Sequence, residues 1–374
     1  MAKKVFIVSV IIFVLAGVIL AFLKINSSKT IEINNQEDLK TENVDKKAEN
    51  LANPDQKIMK LIEGDIQGIF LNKGEEKLVY CNGSNILESD LNGKMKRSLA
   101  AYPFNEIQKI IWSGDGKKAI IKDNNDFLLI FLEENRTEKL KDGVDEAIFD
   151  FSGNHLIYKY YQFSEQKRSL NISDLSGNNW QELTEVGFRE VVLASHPFND
   201  SFLFYPKARA LEESVLSIFD VKKKEKREIF KGKYGADYLW SPDGSKILVS
   251  FAPENNKSKL FLGVMNSDGG EFLGLNFPTS TKKCVWSGDN QNIYCAMLNN
   301  FPKLSILPDD WDDEKYYSAD TFWKIDTATG QKERIIDLAE LQEEIDAVNL
   351  VLDNEERYLF MINKKNKDLY RINL

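Results

Sequence analysis

The stretch WSPDGSKILVS, residues 240–250, contains a complete β-hairpin turn. Trp240 ends one strand, Ser241-Pro242-Asp243-Gly244 reverses the chain, and Ile247, Leu248 and Val249 begin the next. Pro242 presets φ for the turn, Gly244 accepts positive φ, and a branched apolar run suits a pleated, half-buried strand. Copies lie over it without gaps: WSGDGKKAII from Trp112, FDFSGNHLIY from Phe149, SHPFNDSFLF from Ser195, and VWSGDNQNIY with Trp286 at the anchor. FLNKGEEKLV from Phe70 and LDNEERYLFM from Leu352 are weaker members. Successive anchors stand roughly 42, 37, 46, 45, 46 and 66 residues apart, near the period of a four-stranded propeller blade. The period predicts an all-β chain folded as a seven-bladed β-propeller, with six blades as the alternative because the first and last repeats are degenerate.

Each repeat reads as four strands. In the repeat around Trp240, YLWSPDG closes the first strand, SKILVSF is the second, SKLFLGVMN the third and EFLGLNF the fourth. The last repeat stops at DLYRINL, Leu374, with no chain left for a fourth strand. QKIMKLIEGDIQGI, residues 56–69, has the register of a fourth strand, so residues 57–62 are expected to complete the final blade and remove an exposed edge.

The first residues are a different material. VFIVSVIIFVLAGVILAFL, residues 5–23, is apolar throughout, near the ~20 residues a helix needs to cross a bilayer. It is longer than the apolar core of a cleaved signal peptide, and no A-x-A site follows it. The expectation is a cytoplasmic tail over 1–4, an uncleaved transmembrane signal anchor over 5–23, a disordered linker over 24–55 and a propeller over 56–374 outside the cytoplasm. The linker is rich in Asn, Glu, Lys, Asp and Ser. Some thirty such residues would hold the propeller about 30 Å from the membrane on average.

The W-S-x-D-G turn followed by an apolar strand resembles the WD40-like (PD40) repeat of the TolB-like propellers, found also in prolyl oligopeptidase relatives. The resemblance covers residues 56–374. It implies a propeller and leaves activity open, since one fold hosts many functions.

Charge narrows the partners. With 49 Lys+Arg against 58 Asp+Glu, the net charge of −9 argues against nucleic acid. The run KKKEKRE, residues 222–228, reads as a solvated strand edge. The only histidines, His155 and His196, fall in or beside hairpin turns and are expected to be exposed. There is no G-x-S-x-G nucleophile elbow and no hydrolase-sized segment after the propeller, and the turn is not a sialidase Asp-box. No catalytic residue, metal or cofactor is assigned.

Of three cysteines, Cys284 faces Cys295 if Trp286 faces Ile293, since both pairs sum to 579. Directly opposite residues lie within disulfide range. A disulfide and two buried thiols are both open readings. Cys81 would remain a buried lone thiol.

The spacing of 66 comes from an insertion, LNNFPKLSILPDDWDDEKYYSADTF, residues 298–322. It sets Trp311, Tyr316 and Tyr317 among Asp310, Asp312 and Asp313. These six residues are expected to bind a protein or envelope polymer, on a face shared with the longer loops at 160–169, 205–214 and 252–258. Asp309 to Glu314 lack the D-x-D-x-D-G spacing of a Ca²⁺ loop. A membrane-tethered binding scaffold is therefore expected, with a hydrolase or lyase using carboxylates at the axial mouth as the alternative.

Overall fold

The computed structural model describes residues 57–72 and 74–374. The segments 1–4, 5–23 and 24–55 lie outside the described residues. Among the described residues, no helix is long and apolar enough to cross a membrane.

Turn chemistry builds the sheets. In the Trp240 hairpin, Ser241 N donates to Lys246 O at 2.9 Å and Gly244 N to Ser241 O at 2.9 Å. Asp243 Oδ1 accepts from Ser241 Oγ and Ser245 N, while Ser241 Oγ accepts from Lys246 N. The Trp112 turn repeats this, with Asp115 accepting from Ser113 Oγ and Lys117 N. Serine and aspartate thus absorb the turn's orphan donors, and Gly244 (φ +71°) supplies the left-handed residue.

Each anchor faces the residue seven places on: Trp112 opposite Ala119, Phe149 opposite Leu156, Ser195 opposite Phe202, Trp240 opposite Ile247, Trp286 opposite Ile293 and Leu352 opposite Leu359. The first repeat differs. Leu71, not Phe70, faces Leu78, because alternation puts Leu71 in the core while Phe70 turns to pack on Trp112, ring centroids 6.1 Å apart.

Among the described residues the chain forms five four-stranded antiparallel sheets and one of seven strands. In chain order these are a first sheet (66–101), a second (107–139), a third (144–185), a double sheet (191–274), a disulfide sheet (284–336) and a terminal sheet (347–373 with Ile58–Ile62). The double sheet is continuous because one strand, Glu225–Trp240, pairs with Glu213–Asp220 through its first half and with Lys246–Ala252 through its second. The basic run at 222–228 enters this shared strand.

Apolar clusters join every neighbour: first to second sheet around Val79 and Ile121, second to third around Leu129 and Leu156, third to double around Ile157 and Phe204. They continue from double to disulfide sheet around Leu248 and Trp286, disulfide to terminal around Phe322 and Leu359, and terminal back to first around Phe360 and Tyr80. The succession returns to its start, which makes the architecture a closed propeller.

At the junction of the chain's ends, Ile58–Ile62 pairs antiparallel with Leu369–Asn373, Ile58 opposite Ile372. Lys60 reaches Asp368 at 2.8 Å. Across the closing interface, Arg357 bonds Glu76 at 2.6 Å, and Arg371 donates to Leu91 O and Asn92 Oδ1.

Cys284 and Cys295 are directly opposite, Cα atoms 4.2 Å apart, and joined as a disulfide. Cys81 is fully buried, and burial pushes its thiol up to about 12. His155 is half-exposed beside Asp150. His196 is not an exposed turn residue. It is buried edge-on against Trp240, centroids 4.9 Å apart, because the Trp240 indole packs back onto its turn. Burial holds its pKa below the ordinary imidazole value.

Candidate functional site

Strand direction alternates within each sheet, so the hairpins after the anchors emerge on one face. The loops joining second to third strands share the opposite face with the connections between sheets. The insertion (298–320) lies there, between the strands Asn292–Met297 and Thr321–Asp326. So do the loops at 163–166, 207–212 and 253–260.

The insertion is fastened down at several points. Its single helical turn, α1 (Asp309–Asp312), follows Pro308, which presses onto the double sheet at Gly235. A Cβ at Gly235 (φ +56°) would stand 3.0 Å from Pro308 Cδ and 3.1 Å from Ala210 Cα, so glycine lets the insertion approach. Asp309 accepts from Ala210 N at 2.6 Å and lies 3.6 Å from Arg209. Leu307 N donates to Lys257 O at 2.8 Å. Leu307 and Trp311 pack with Ala252, Leu260 and Leu298.

Beneath α1 lies a buried ion cluster that the sequence reading did not single out. Lys283, Asp320 and Asp346 have no side-chain exposure. Lys283 Nζ bonds Asp320 Oδ2 at 2.6 Å, reaches Asp346 Oδ1, and donates to Ala347 O at 3.2 Å. Ala347 N donates to Asp320 Oδ2 at 2.7 Å, and Ser318 N to Asp346 Oδ2 at 3.1 Å. Asp320 Oδ1 has no hydrogen-bond partner. Two buried carboxylates share one ammonium. Burial pushes Asp320 up to about 6, against the pull of Lys283 and with the help of the Asp346 charge.

Trp311 closes this cluster. Its Nε1 donates to both Asp346 oxygens at 3.1 and 3.0 Å, and its ring lies between Lys283 Nζ at 5.0 Å and Lys364 Nζ at 4.4 Å. Lys364 also donates to Trp311 O, and burial holds its ammonium below the ordinary lysine value.

The six residues expected to contact a partner therefore divide. Trp311, 2 % exposed, is a core residue, not a contact residue, because its N–H satisfies a buried carboxylate. Asp310 is also turned inward, accepting from Ile306 N at 2.7 Å and from Lys315 Nζ at 2.8 Å, and Lys315 holds it below the usual carboxylate range. Asp312 pairs with Lys282 at 2.8 Å. Asp313, half-exposed, and Tyr316 and Tyr317, 37 % and 38 % exposed, face solvent. Leu304 and Ile306 of the insertion are exposed too, as are Leu211 and Phe163 of the other loops on this face.

The acids where innermost strands begin are likewise engaged. Asp145 pairs with buried Lys159 at 2.6 Å, Glu146 with Lys109, and Glu190 with Arg209 at 2.8 Å. Asp237 accepts from Tyr205 Oη at 2.7 Å and Thr281 Oγ1 at 3.0 Å. Among the described residues, no three His, Cys, Asp or Glu side chains are grouped to hold a metal ion. Asp346 and Lys283 each stand one residue before an innermost strand. That recurrence of a charge ahead of an apolar strand is the signal that could have drawn attention to the cluster.

No protein-family model matches the chain, and no curated protein matches it. Solved structures do. An oligogalacturonate lyase in complex with manganese is 11% identical over 85% of this chain and 93% of its own, with a TM-score of 0.60. An oligogalacturonate lyase from Vibrio parahaemolyticus is 11% identical over 86% and 94%, TM-score 0.60. The β-propeller domain of Cps50 (Swd1) from Myceliophteria thermophila is 11% identical over 85% and 99%, TM-score 0.57. At such identity the likeness shows the fold alone, a β-propeller.

Proposed function

We propose that the protein is a membrane-tethered, extracytoplasmic scaffold whose loop-bearing face binds a protein or envelope polymer. In this reading the ring has seven blades, the double sheet counting as two, and residues 5–23 anchor it. The observation that carries the reading is the insertion: it is bonded to two sheets over a buried ion cluster, yet it presents Tyr316, Tyr317 and Ile306 to solvent. A loop merely tolerated at the surface needs no such footing. Rigid aromatic anchors beside exposed apolar residues are the composition of a recognition surface.

Two further observations support the setting. The Cys284–Cys295 disulfide suits an oxidising compartment. Lys57 lies on the hairpin face, opposite the loop-bearing face, since Asn373 N donates to Lys57 O beside the turn that receives Leu374.

Replacing Tyr316 and Tyr317 together with alanine tests the reading: partner capture should fall at least about tenfold with Tm unchanged. Capture equal to wild type removes the proposed surface. The lyase or hydrolase alternative requires a carboxylate released from the pairs described above, and turnover of oligogalacturonate or a peptide substrate by the purified protein would favour it.

A further inference from the structure

One repeat carries a small polar residue at its anchor, where the others carry an aromatic or a leucine. In the others the anchor fills the gap toward the preceding sheet or half-sheet: Trp240 Nε1 donates to Ala194 O at 3.3 Å, Trp286 Nε1 to Leu239 O at 3.4 Å, and Trp112 packs on Phe70. At the equivalent place between the third sheet and the double sheet stands Ser195. There the gap is open, a cleft of about 350 Å³ with an apolar wall of Phe151, Ile172 and Val221 and a polar rim that includes Asp150, Asp174, Asp200, His155 and Lys222.

Ser195 Oγ is buried and has no hydrogen-bond partner. Asp150 Oδ2 holds His155 Nδ1 at 3.1 Å, which fixes the ring and leaves Nε2 as its second hydrogen-bonding atom. Phe151 is 40 % exposed. A concave gap with an apolar wall and converging polar groups is the form of a small-ligand site.

We propose that this cleft is a binding site for a planar aromatic ring with a hydrogen-bonding edge, the chemistry of an indole. The ring would occupy the place that the repeat's own tryptophan takes at the neighbouring interfaces. It would come either as a free small molecule or as the tryptophan side chain of a partner peptide. A second cleft of about 640 Å³ adjoins the first and shares Asn199, Asp200, Ser201 and Lys222 with it, which gives the rest of a peptide somewhere to lie. The site is on the hairpin face, opposite the insertion, and is independent of the function proposed above.

The test uses the full-length protein with indole, and separately with a tryptophan-containing tetrapeptide, read by thermal shift and ligand-observed NMR. Wild type should show a Tm that rises with ligand concentration. Ser195→Trp, which restores the repeat, should raise the ligand-free Tm and weaken both ligands at least about tenfold. Ser195→Phe, the residue type at Phe149, is the second variant should tryptophan prevent folding. A peptide bound at least about tenfold more tightly than indole identifies a partner chain as the source, and equal affinity identifies a free aromatic. No response of wild type to either ligand, or an undiminished response in the folded Ser195 variants, overturns the proposal.

Discussion

Asp320 gives the stability of this propeller a defined dependence on pH. Its folded pKa, about 6, lies above the ordinary 3.8, so between those values the folded state binds the proton more tightly than the unfolded chain. Its contribution is then fully favourable below about pH 4 and is lost as pH rises through 6. By itself the shift corresponds to a change on the order of 3 kcal/mol. Asp320→Asn should therefore lose this titration: urea unfolding at pH 4.5 and 7.5 should show a smaller pH difference in the variant than in wild type. An unaltered difference would place the proton elsewhere. Trp311→Ala should cost about 3–5 kcal/mol through lost packing, with Asp346 left short of a donor as well. The six insertion residues named from composition show what sequence can give at this scale. Acids mixed with aromatics marked the loop, but an indole satisfies an apolar wall or a buried carboxylate equally well. Only the position of Asp346, thirty-five residues away, turned Trp311 inward.

Elements were more legible than residues. The W-S-x-D-G turn fixes its own hydrogen bonds within six residues, so the hairpins could be placed by a local pattern, and strand alternation put Cys284 across from Cys295. The one-residue offset at Leu71 arose in the turn Asn72 to Lys77, which has no residue of the W-S-x-D-G motif at its start. Less legible was the sixteen-residue strand Glu225–Trp240, where charge along 222–228 hid a continuous ladder shared by two halves of a sheet. Replacing both Cys284 and Cys295 with alanine should lower stability by about 2–3 kcal/mol, as expected for so short a loop, without altering the fold. Equal unfolding free energies for wild type and the double variant would mean the bond adds nothing. The strand Ile58–Ile62 makes a stronger demand. Deleting it should bare the edge of Leu369–Asn373, lower Tm and bring on aggregation, whereas an unchanged Tm would show that the ring holds without it.

At the scale of the molecule, the same period that predicts a ring says nothing of which face works. That choice comes from asymmetry: one insertion of twenty-three residues, stitched across the double, disulfide and terminal sheets, on the face away from Lys57. The most direct measurement is photo-crosslinking of the full-length protein in its native cells. A crosslinking amino acid is placed at Tyr317 on the loop-bearing face or at Met95, which is 81 % exposed in a turn joining third and fourth strands on the hairpin face. The account predicts one discrete envelope partner captured from position 317, absent from position 95 and lost when Tyr316 is replaced by alanine. Equal capture from both positions, or none from position 317, would contradict it.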